Sequence, residues 1–139
     1  MSATRILLDT NVVLDFVLKR EGFVEKAQTI FLWHEQSKIE IHISTLTLAN
    51  TAYIVKKNGK DPFAVTSALV KWLKIILLQL IHFKKNLASN FRDFEDGLQY
   101  FSALEAGNIV AIVTRNSKDF SASVISVQTP DEVIKSMEQ

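Results

Sequence analysis

The chain has 139 residues, of which 47% are apolar, and its mean hydropathy is +0.13. This length suits one domain, residues 1–139, with a hydrophobic core, and it excludes two domains of ordinary size. The net charge of +1 excludes a strongly basic nucleic-acid binder, although a polarised site is compatible with a neutral total. The chain has no cysteine, which excludes disulfides and thiolate zinc sites and fits a cytoplasmic protein.

We expect no signal peptide and no membrane-spanning segment. The apolar run 6–8 ends at Asp9 and is too short for a signal peptide. The run 75–81 is too short to cross a bilayer, and a buried strand explains it better. The high apolar fraction favours an oligomer, and a homodimer is the commonest form.

The first part of the chain alternates between strand and helix patterns. Residues 6–8 are continuously apolar, as in a strand buried on both faces, and residues 12–18 are predicted to form the first helix. Apolar spacing over 24–36 predicts a second helix, and strict alternation over 39–43 predicts a strand nearer the sheet edge. Trp33 lies off the apolar stripe of its helix, which makes it a candidate for a partner surface.

The same alternation continues to the end of the chain. The remaining predicted elements are a helix over 46–57 capped by Ser44 or Thr45, a helix from Pro62 to about Lys74, a strand over 75–80, a short helix and loop over 82–90, a helix over 93–106, a strand over 109–113, a loop over 114–120, a strand over 124–127 and a helix over 130–137. The alternation predicts a three-layer α/β/α fold with a central parallel sheet.

Two helices carry apolar residues at spacings that place them on one face. In the helix over 93–106, the residues expected on the buried face are Phe94, Leu98, Phe101 and Leu104. In the helix over 46–57, the residues that share a face are Leu46, Ala49, Asn50 and Tyr53.

Polar residues follow the predicted strands where parallel strands end. Asp9 follows the first strand, Asn116 and Asp119 follow a later one, and Asp93 and Asp96 open the helix that leads into that later strand. In open α/β sheets, ligands bind at this edge where the strand order reverses. Converging oxygen ligands suit Mg²⁺ or Mn²⁺, and a phosphate commonly completes the shell of Mg²⁺. The pattern therefore points to phosphodiester chemistry, in which a metal activates water.

Each of these residues also has a purely structural explanation. Asp9 suits the N-cap of the first helix. Asp93 and Asp96 offset the dipole of the helix that they open. Asp119 suits a turn, and Asn50 suits a buried amide bonded to backbone. It is the combined placement of these side chains that favours a site.

Other kinds of site have little support in the sequence. His34, His42 and His82 lack metal-ligand spacing, and we expect them at the surface or its boundary. The chain contains no glycine-rich phosphate loop and no nucleophile-elbow serine. Lysines such as Lys56 and Lys84 are expected on solvated faces.

Three segments resemble the PIN domain family. They are Leu7-Leu8-Asp9-Thr10-Asn11, then Asp93-Phe94-Glu95-Asp96 followed by Gln99 and Ala103, and then Ile112-Val113-Thr114-Arg115-Asn116 followed by Asp119-Phe120. The similarity is greatest to the small prokaryotic branch that includes VapC-type toxins, and it covers nearly the whole chain. The resemblance implies a doubly wound parallel sheet and a metal-dependent ribonuclease site built from four acids.

The resemblance also assigns roles to individual residues. Asp9 matches the first acid of the family and Asp96 the third. Asn50 stands where the family usually has Glu, and Asn116 where it usually has Asp. Asp93 and Asp119 lie nearby and would compensate.

The function implied is that of an endoribonuclease using Mg²⁺ or Mn²⁺. Asp9 and Asp96 would hold the metal with help from Asp119 or Asp93, while Asn50 and Asn116 would bond to water or substrate. The residues expected to position phosphate or the carboxylates are Thr10, Asn11, Thr114 and Arg115. The expected partners are RNA, an antitoxin protein and a second copy of the chain.

Two alternatives remain open. The missing acids favour a catalytically weak module that binds RNA or a protein without cleaving. A different phosphohydrolase is disfavoured because no Asp-x-Asp motif follows the first strand.

Overall fold

The computed structural model describes residues 3–120 and 122–138. The strands are β1 (Thr4–Leu8), β2 (Ile39–Ser44), β3 (Lys74–Ile76), β4 (Ala111–Val113) and β5 (Ser126–Gln128). The helices are α1 (Thr10–Val17), α2 (Val24–Glu35), α3 (Thr45–Lys57), α4 (Pro62–Trp72), α5 (Leu80–Leu87), α6 (Phe94–Ala106) and α7 (Pro130–Met137), with a 3₁₀ turn at Ser117–Phe120.

The described strands form one five-stranded sheet in the order β3-β2-β1-β4-β5. Every pairing is parallel, and Leu7 of β1 lies between His42 of β2 and Ile112 of β4. The chain therefore winds outward from β1 to β3 and returns past β1 to build β4 and β5. The predicted α/β fold with a central parallel sheet is confirmed, and its topological switch point lies between β1 and β4.

The core lies on both faces of this sheet. Ile6 and Leu8 of β1 pack with α1 and α2 on one face, whereas Leu7 packs with Tyr100 and Ala103 of α6 on the other. All three β1 residues are buried, as the continuous apolar run predicts. Burial on both faces stabilises β1 as the centre of the sheet, so that Asp9 leaves the core at a fixed position.

Side-chain caps fix the starts of several helices. Asp9 caps α1, and Ser44 caps α3 by accepting the Thr47 N–H at 3.2 Å. Asp61 caps α4 and Asp93 caps α6 in the same manner. Gly107, with φ of +71°, ends α6 in a conformation that glycine adopts without strain.

The sheet edge differs from the sequence prediction. Residues 75–80 were expected to form a buried strand, but β3 ends at Ile76 and Leu80 already begins α5. Leu77 is 62% exposed. The strand is short and Leu77 is exposed because β3 pairs only with β2 and forms the edge of the sheet, whereas β2 has a neighbour on each side. β2 itself lies between β1 and the edge strand β3, so it is nearer the edge than β1, as its alternating pattern predicts.

The predicted buried face of α6 is correct only in part, because Leu98 is buried and Phe101 packs against the core. Phe94 and Leu104 of α6 are 51% and 44% exposed. The residues of α6 that are buried are Asp96, Gly97, Leu98, Gln99, Tyr100, Ser102 and Ala103. In α3 the buried residues are Thr47, Thr51 and Val55, while Ala49 and Tyr53 are exposed. Both helices turn hydroxyls or amides inward, which the spacing of apolar residues does not indicate.

Two single-residue predictions need the same correction. Trp33 is partly buried and packs against the core, so it offers no separate partner surface. His82 is only 2% exposed, because its Nδ1 accepts the Gln79 N–H at the start of α5 and its ring turns toward α6. No helix in the described part of the chain is long and apolar enough to cross a membrane.

Candidate active site

A cleft of about 490 Å³ lies at the carboxyl edge of the sheet, beside the ends of β1 and β4. It brings together eight of the ten residues that the sequence singled out, namely Asp9, Thr10, Asn11, Asn50, Asp93, Asp96, Asn116 and Asp119. Glu95, Gln99 and Arg20 also line it. The cleft is therefore rich in carboxylate and amide oxygens, which are hard ligands.

Asp9 is both a helix cap and a wall of the cleft. One carboxylate oxygen, Oδ1, accepts the Thr10 N–H at 2.7 Å and the Gln99 Nε2–H at 2.8 Å. The other, Oδ2, accepts the Thr114 hydroxyl at 2.7 Å and the Asn11 amide at 3.4 Å. The Asp9 carboxylate is thereby held by donors from α1, α6 and the loop after β4. The residue is 9% exposed.

Asp96 lines the same cleft as Asp9, from the first turn of α6. The residue is 8% exposed, and its backbone N–H donates to the Asp93 carboxylate at 2.9 Å. Burial is the main reason that the pKa of Asp96 rises to about 8. The negative charges that raise this pKa further are those of Asp9, Asp93, Asp119 and Glu95. At neutral pH the Asp96 carboxyl therefore favours its protonated form unless a cation offsets these charges.

The two amides where acids were expected both line the cleft, Asn50 from α3 and Asn116 from the loop after β4. Asn50 of α3 donates its amide to Glu95 Oε1 at 3.1 Å. Asn116 is exposed, and its N–H donates to the Thr114 hydroxyl at 3.1 Å. The Asp119 N–H donates to the Asn116 carbonyl at 3.1 Å, which closes the loop that carries both side chains.

Thr114 and Arg115 do not line the cleft directly. Thr114 is fully buried and acts through its hydrogen bond to Asp9. The Arg115 Nε lies 2.9 Å from Asp15 Oδ2, and its guanidinium lies 4.0 Å from the centre of the Phe23 ring. Only the Arg115 backbone reaches the site, where its N–H donates to the Asn11 side chain at 3.3 Å. This placement gives no support to the prediction that the Arg115 side chain positions substrate.

Asp15 is a buried acid that the sequence analysis did not single out. It is 1% exposed, and desolvation raises its pKa, while the positive charges of Arg115 and Arg20 oppose that rise. Arg20 NH1 lies 3.7 Å from Asp15 Oδ1. These contacts fasten the loop after β4 to α1. A charged residue between Leu14 and Phe16 in an apolar helix is the signal that would have identified it.

Gln99 was noted in the sequence only as part of the family resemblance and was given no role in the site. It is 2% exposed, donates to Asp9 and accepts the Thr47 hydroxyl at 3.1 Å. The Thr47 hydroxyl in turn lies 3.0 Å from that of Thr10. Gln99 follows Asp96 by three positions, and this spacing on one helix face is the signal that would have found it.

The donor set of the cleft fits a hard divalent cation. Among the residues that the structure describes, no group of three or more His, Cys, Asp or Glu side chains is placed to hold a metal ion. Mg²⁺ needs fewer protein ligands, because it usually keeps several waters and takes one or two carboxylates. Asp9 and Asp96 supply two carboxylates, and their crowding with further acids favours a cation there.

Comparison with known proteins supports the same fold. A toxin–antitoxin complex from Klebsiella pneumoniae contains a chain with 21% identity and a TM-score of 0.68, and the match covers 90% of this chain and 97% of that one. VapBC2 from Rickettsia felis, bound to a DNA fragment from its promoter, gives 20% identity, a TM-score of 0.59 and coverage of 89% and 96%. No curated protein sequence matches significantly. A sequence model of the PIN domain matches residues 5–118. The chain therefore belongs to the PIN domain family.

Proposed function

We propose that this protein is a metal-dependent endoribonuclease that hydrolyses phosphodiester bonds in RNA and acts as the toxin of a toxin–antitoxin pair. The observation that carries the proposal is the placement of Asp9 and Asp96 in one open cleft at the switch point of the sheet. Membership of the PIN domain family supports a nuclease, because that family generally has this activity.

The proposed metal ligands are Asp9 and Asp96, with Asp93 or Asp119 assisting. Bound there, Mg²⁺ or Mn²⁺ would supply positive charge to offset the phosphate and would make water a better nucleophile. The raised pKa of Asp96 supports this assignment, since a carboxyl crowded by other acids gains most from a cation.

The remaining residues of the cleft orient these ligands and the substrate. Gln99 and Thr114 fix the two oxygens of Asp9 by hydrogen bonds of 2.8 and 2.7 Å. Asn50 and Asn116 present amide groups at the cleft wall, where each would donate to a phosphate oxygen or to water. Thr10, in the first turn of α1, adds a hydroxyl beside them.

A second candidate function is RNA or protein binding without cleavage. The observation that favours it is the pair of neutral amides, Asn50 and Asn116, at two positions that face the cleft. Each replaces a charge that would otherwise hold a cation. Fewer carboxylates lower the affinity of a site for hard cations, so a weak metal site would leave a binding surface without efficient catalysis.

An antitoxin partner is proposed from the two structural neighbours, both of which are toxin–antitoxin complexes. The surface that suits a protein partner is an apolar stripe on α5 formed by Leu80, Phe83 and Leu87, which are 69%, 37% and 75% exposed. Phe94 extends it, with its ring centre 6.2 Å from that of Phe83. Contiguous apolar surface of this kind commonly marks a protein interface.

The test is cleavage of an end-labelled single-stranded RNA by the purified protein, with Mn²⁺, with Mg²⁺ and with a chelator. Asp9→Asn should abolish the metal-dependent cleavage, because it removes a charged ligand. Asp61→Asn is the matched control, since Asp61 also caps a helix but is exposed and remote from the cleft. Absence of cleavage with either metal would favour the binding function instead.

A further inference from the structure

We infer that the Arg92–Lys118 pocket, a cavity beside the cleft, binds a phosphate of the RNA strand next to the phosphate that is cleaved. The inference rests on the proposed function. The pocket has a volume of about 240 Å³ and lies between the segment that precedes α6 and the 3₁₀ turn after β4. Its polar lining includes Asn90, Arg92 and Lys118.

The pocket adjoins the acidic cleft directly. Asp93 and Asp119 line both cavities, so the pocket and the cleft share one residue from the segment before α6 and one from the 3₁₀ turn. An RNA strand with one phosphate at Asp9 and Asp96 therefore meets the Arg92–Lys118 pocket as it leaves the cleft. The same RNA strand must pass several carboxylates of the cleft wall, which repel its phosphates. Positive charge beside these carboxylates is therefore needed to bind the RNA.

Arg92 and Lys118 are suited to supply that charge. Both side chains belong to exposed residues, and neither forms an ion pair with a carboxylate in the described part of the chain. They remain unpaired although Asp93 and Asp119 line the same pocket. An Arg guanidinium binds phosphate through two parallel hydrogen bonds, and a Lys ammonium adds a point charge.

A second cavity that adjoins the cleft does not offer the same chemistry. It has a volume of about 390 Å³, shares Asn116 with the cleft and is lined by Lys26 and Arg115. Both of these cations are already paired, Lys26 with Asp131 at 3.4 Å and Arg115 with the buried Asp15. The phosphate subsite is therefore assigned to the Arg92–Lys118 side alone.

The experiment measures binding of a fluorescent single-stranded RNA by anisotropy over a series of salt concentrations. Every protein carries Asp9→Asn, so that the RNA is not cleaved during the measurement. The test variant adds Arg92→Gln and Lys118→Gln. The matched control adds Lys38→Gln and Lys71→Gln, which remove the same net charge from two exposed lysines outside these cavities.

The test variant should bind RNA roughly tenfold more weakly than the control, the effect of losing a charge-assisted contact. Its logarithmic salt dependence should fall by about 0.7 for each single-strand phosphate contact that is lost. Equal affinities and equal salt slopes in the two variants would overturn the inference, as would the absence of RNA binding in the Asp9→Asn parent.

The phosphate subsite and the proposed nuclease function can each fail while the other stands. If the natural protein cleaves RNA and the two variants bind alike, the nuclease proposal stands and the phosphate subsite is wrong. If the natural protein fails to cleave with any metal but the Arg92 and Lys118 changes weaken binding, the subsite stands and the nuclease proposal is wrong.

Discussion

Replacement of Asp96 by Asn should stabilise the metal-free protein at neutral pH. The Asp96 carboxyl is buried beside other acids, and its pKa rises from 3.8 to about 8 on folding. Between these two values the folded chain binds a proton that the unfolded chain releases. The free energy of unfolding therefore falls as pH rises from about 4 to about 8, and the penalty is absent below that range.

The size of the effect follows from the same shift. At pH 7 a shift from 3.8 to about 8 corresponds to at most about 4 kcal/mol of lost stability. The open cleft admits water, which screens the acids and brings the expected gain for Asp96→Asn to the order of 1–3 kcal/mol. Asn has nearly the same shape as Asp, so packing in α6 is retained.

The assay is thermal melting in chelator at pH 5 and at pH 8, with Asp61→Asn as the exposed control. Asp96→Asn should raise the melting temperature more at pH 8 than at pH 5. With Mn²⁺ added, the natural protein should gain stability, by about 2.7 kcal/mol at a concentration of 100 Kd, and the variant should gain less. Equal melting of the variant and the natural protein at both pH values in chelator would refute the reasoning.

Three further predictions concern the cleft, the ion pair between Arg115 and Asp15, and the apolar stripe on α5. Asn116→Asp should tighten Mn²⁺ binding by on the order of 1 kcal/mol and lower stability in chelator, because it adds a carboxylate to the acids already there; unchanged affinity in calorimetric titration would place residue 116 outside the metal site. Arg115→Ala should destabilise the fold by about 2–4 kcal/mol in denaturant unfolding, because it leaves the buried Asp15 with only the more distant Arg20; a loss below about 1 kcal/mol would show that the pair contributes little. The exposed apolar stripe on α5 also suits the homodimer expected from the sequence, so Leu87→Lys should weaken self-association in light scattering, whereas Val124→Lys, at a residue 81% exposed outside the stripe, should not; a natural protein that is monomeric at micromolar concentration would contradict this prediction.

The sequence was most informative where one physical requirement dominates. The run that contains Leu7 is apolar on both faces, and only a central parallel strand buries both. Asp9 at its end then had to emerge at the carboxyl edge, and the loop after β4 had to meet it there. Fold class and the position of the cleft were predictable for this reason.

Side-chain placement was less predictable because it depends on contacts between distant segments. Gln99 is buried because its side-chain amide forms hydrogen bonds with Asp9 and Thr47, which belong to other parts of the chain. Phe94 is exposed because the polar face of α6 turns toward the cleft. Neither fact is visible in the spacing of apolar residues.

The outermost strand of the sheet could not be predicted from the sequence, for another reason. The run that contains Leu77 has the composition of a buried strand, but burial needs a neighbour on each side. Sequence order alone does not say which strand lies outermost. Of the apolar residues that are left exposed, Leu80 belongs to the stripe on α5 that is proposed to meet a protein partner.

The central claim is that Asp9 and Asp96 together hold a divalent cation in the cleft. Calorimetric titration of the natural protein with Mn²⁺, alongside Asp9→Asn, Asp96→Asn and the control Asp61→Asn, tests it directly. The account predicts one binding event per chain that Asp61→Asn retains and that each of the other two changes weakens at least tenfold, as expected for the loss of a charged ligand. Equal Mn²⁺ affinity in all four proteins, or no Mn²⁺ binding by the natural protein, would contradict it.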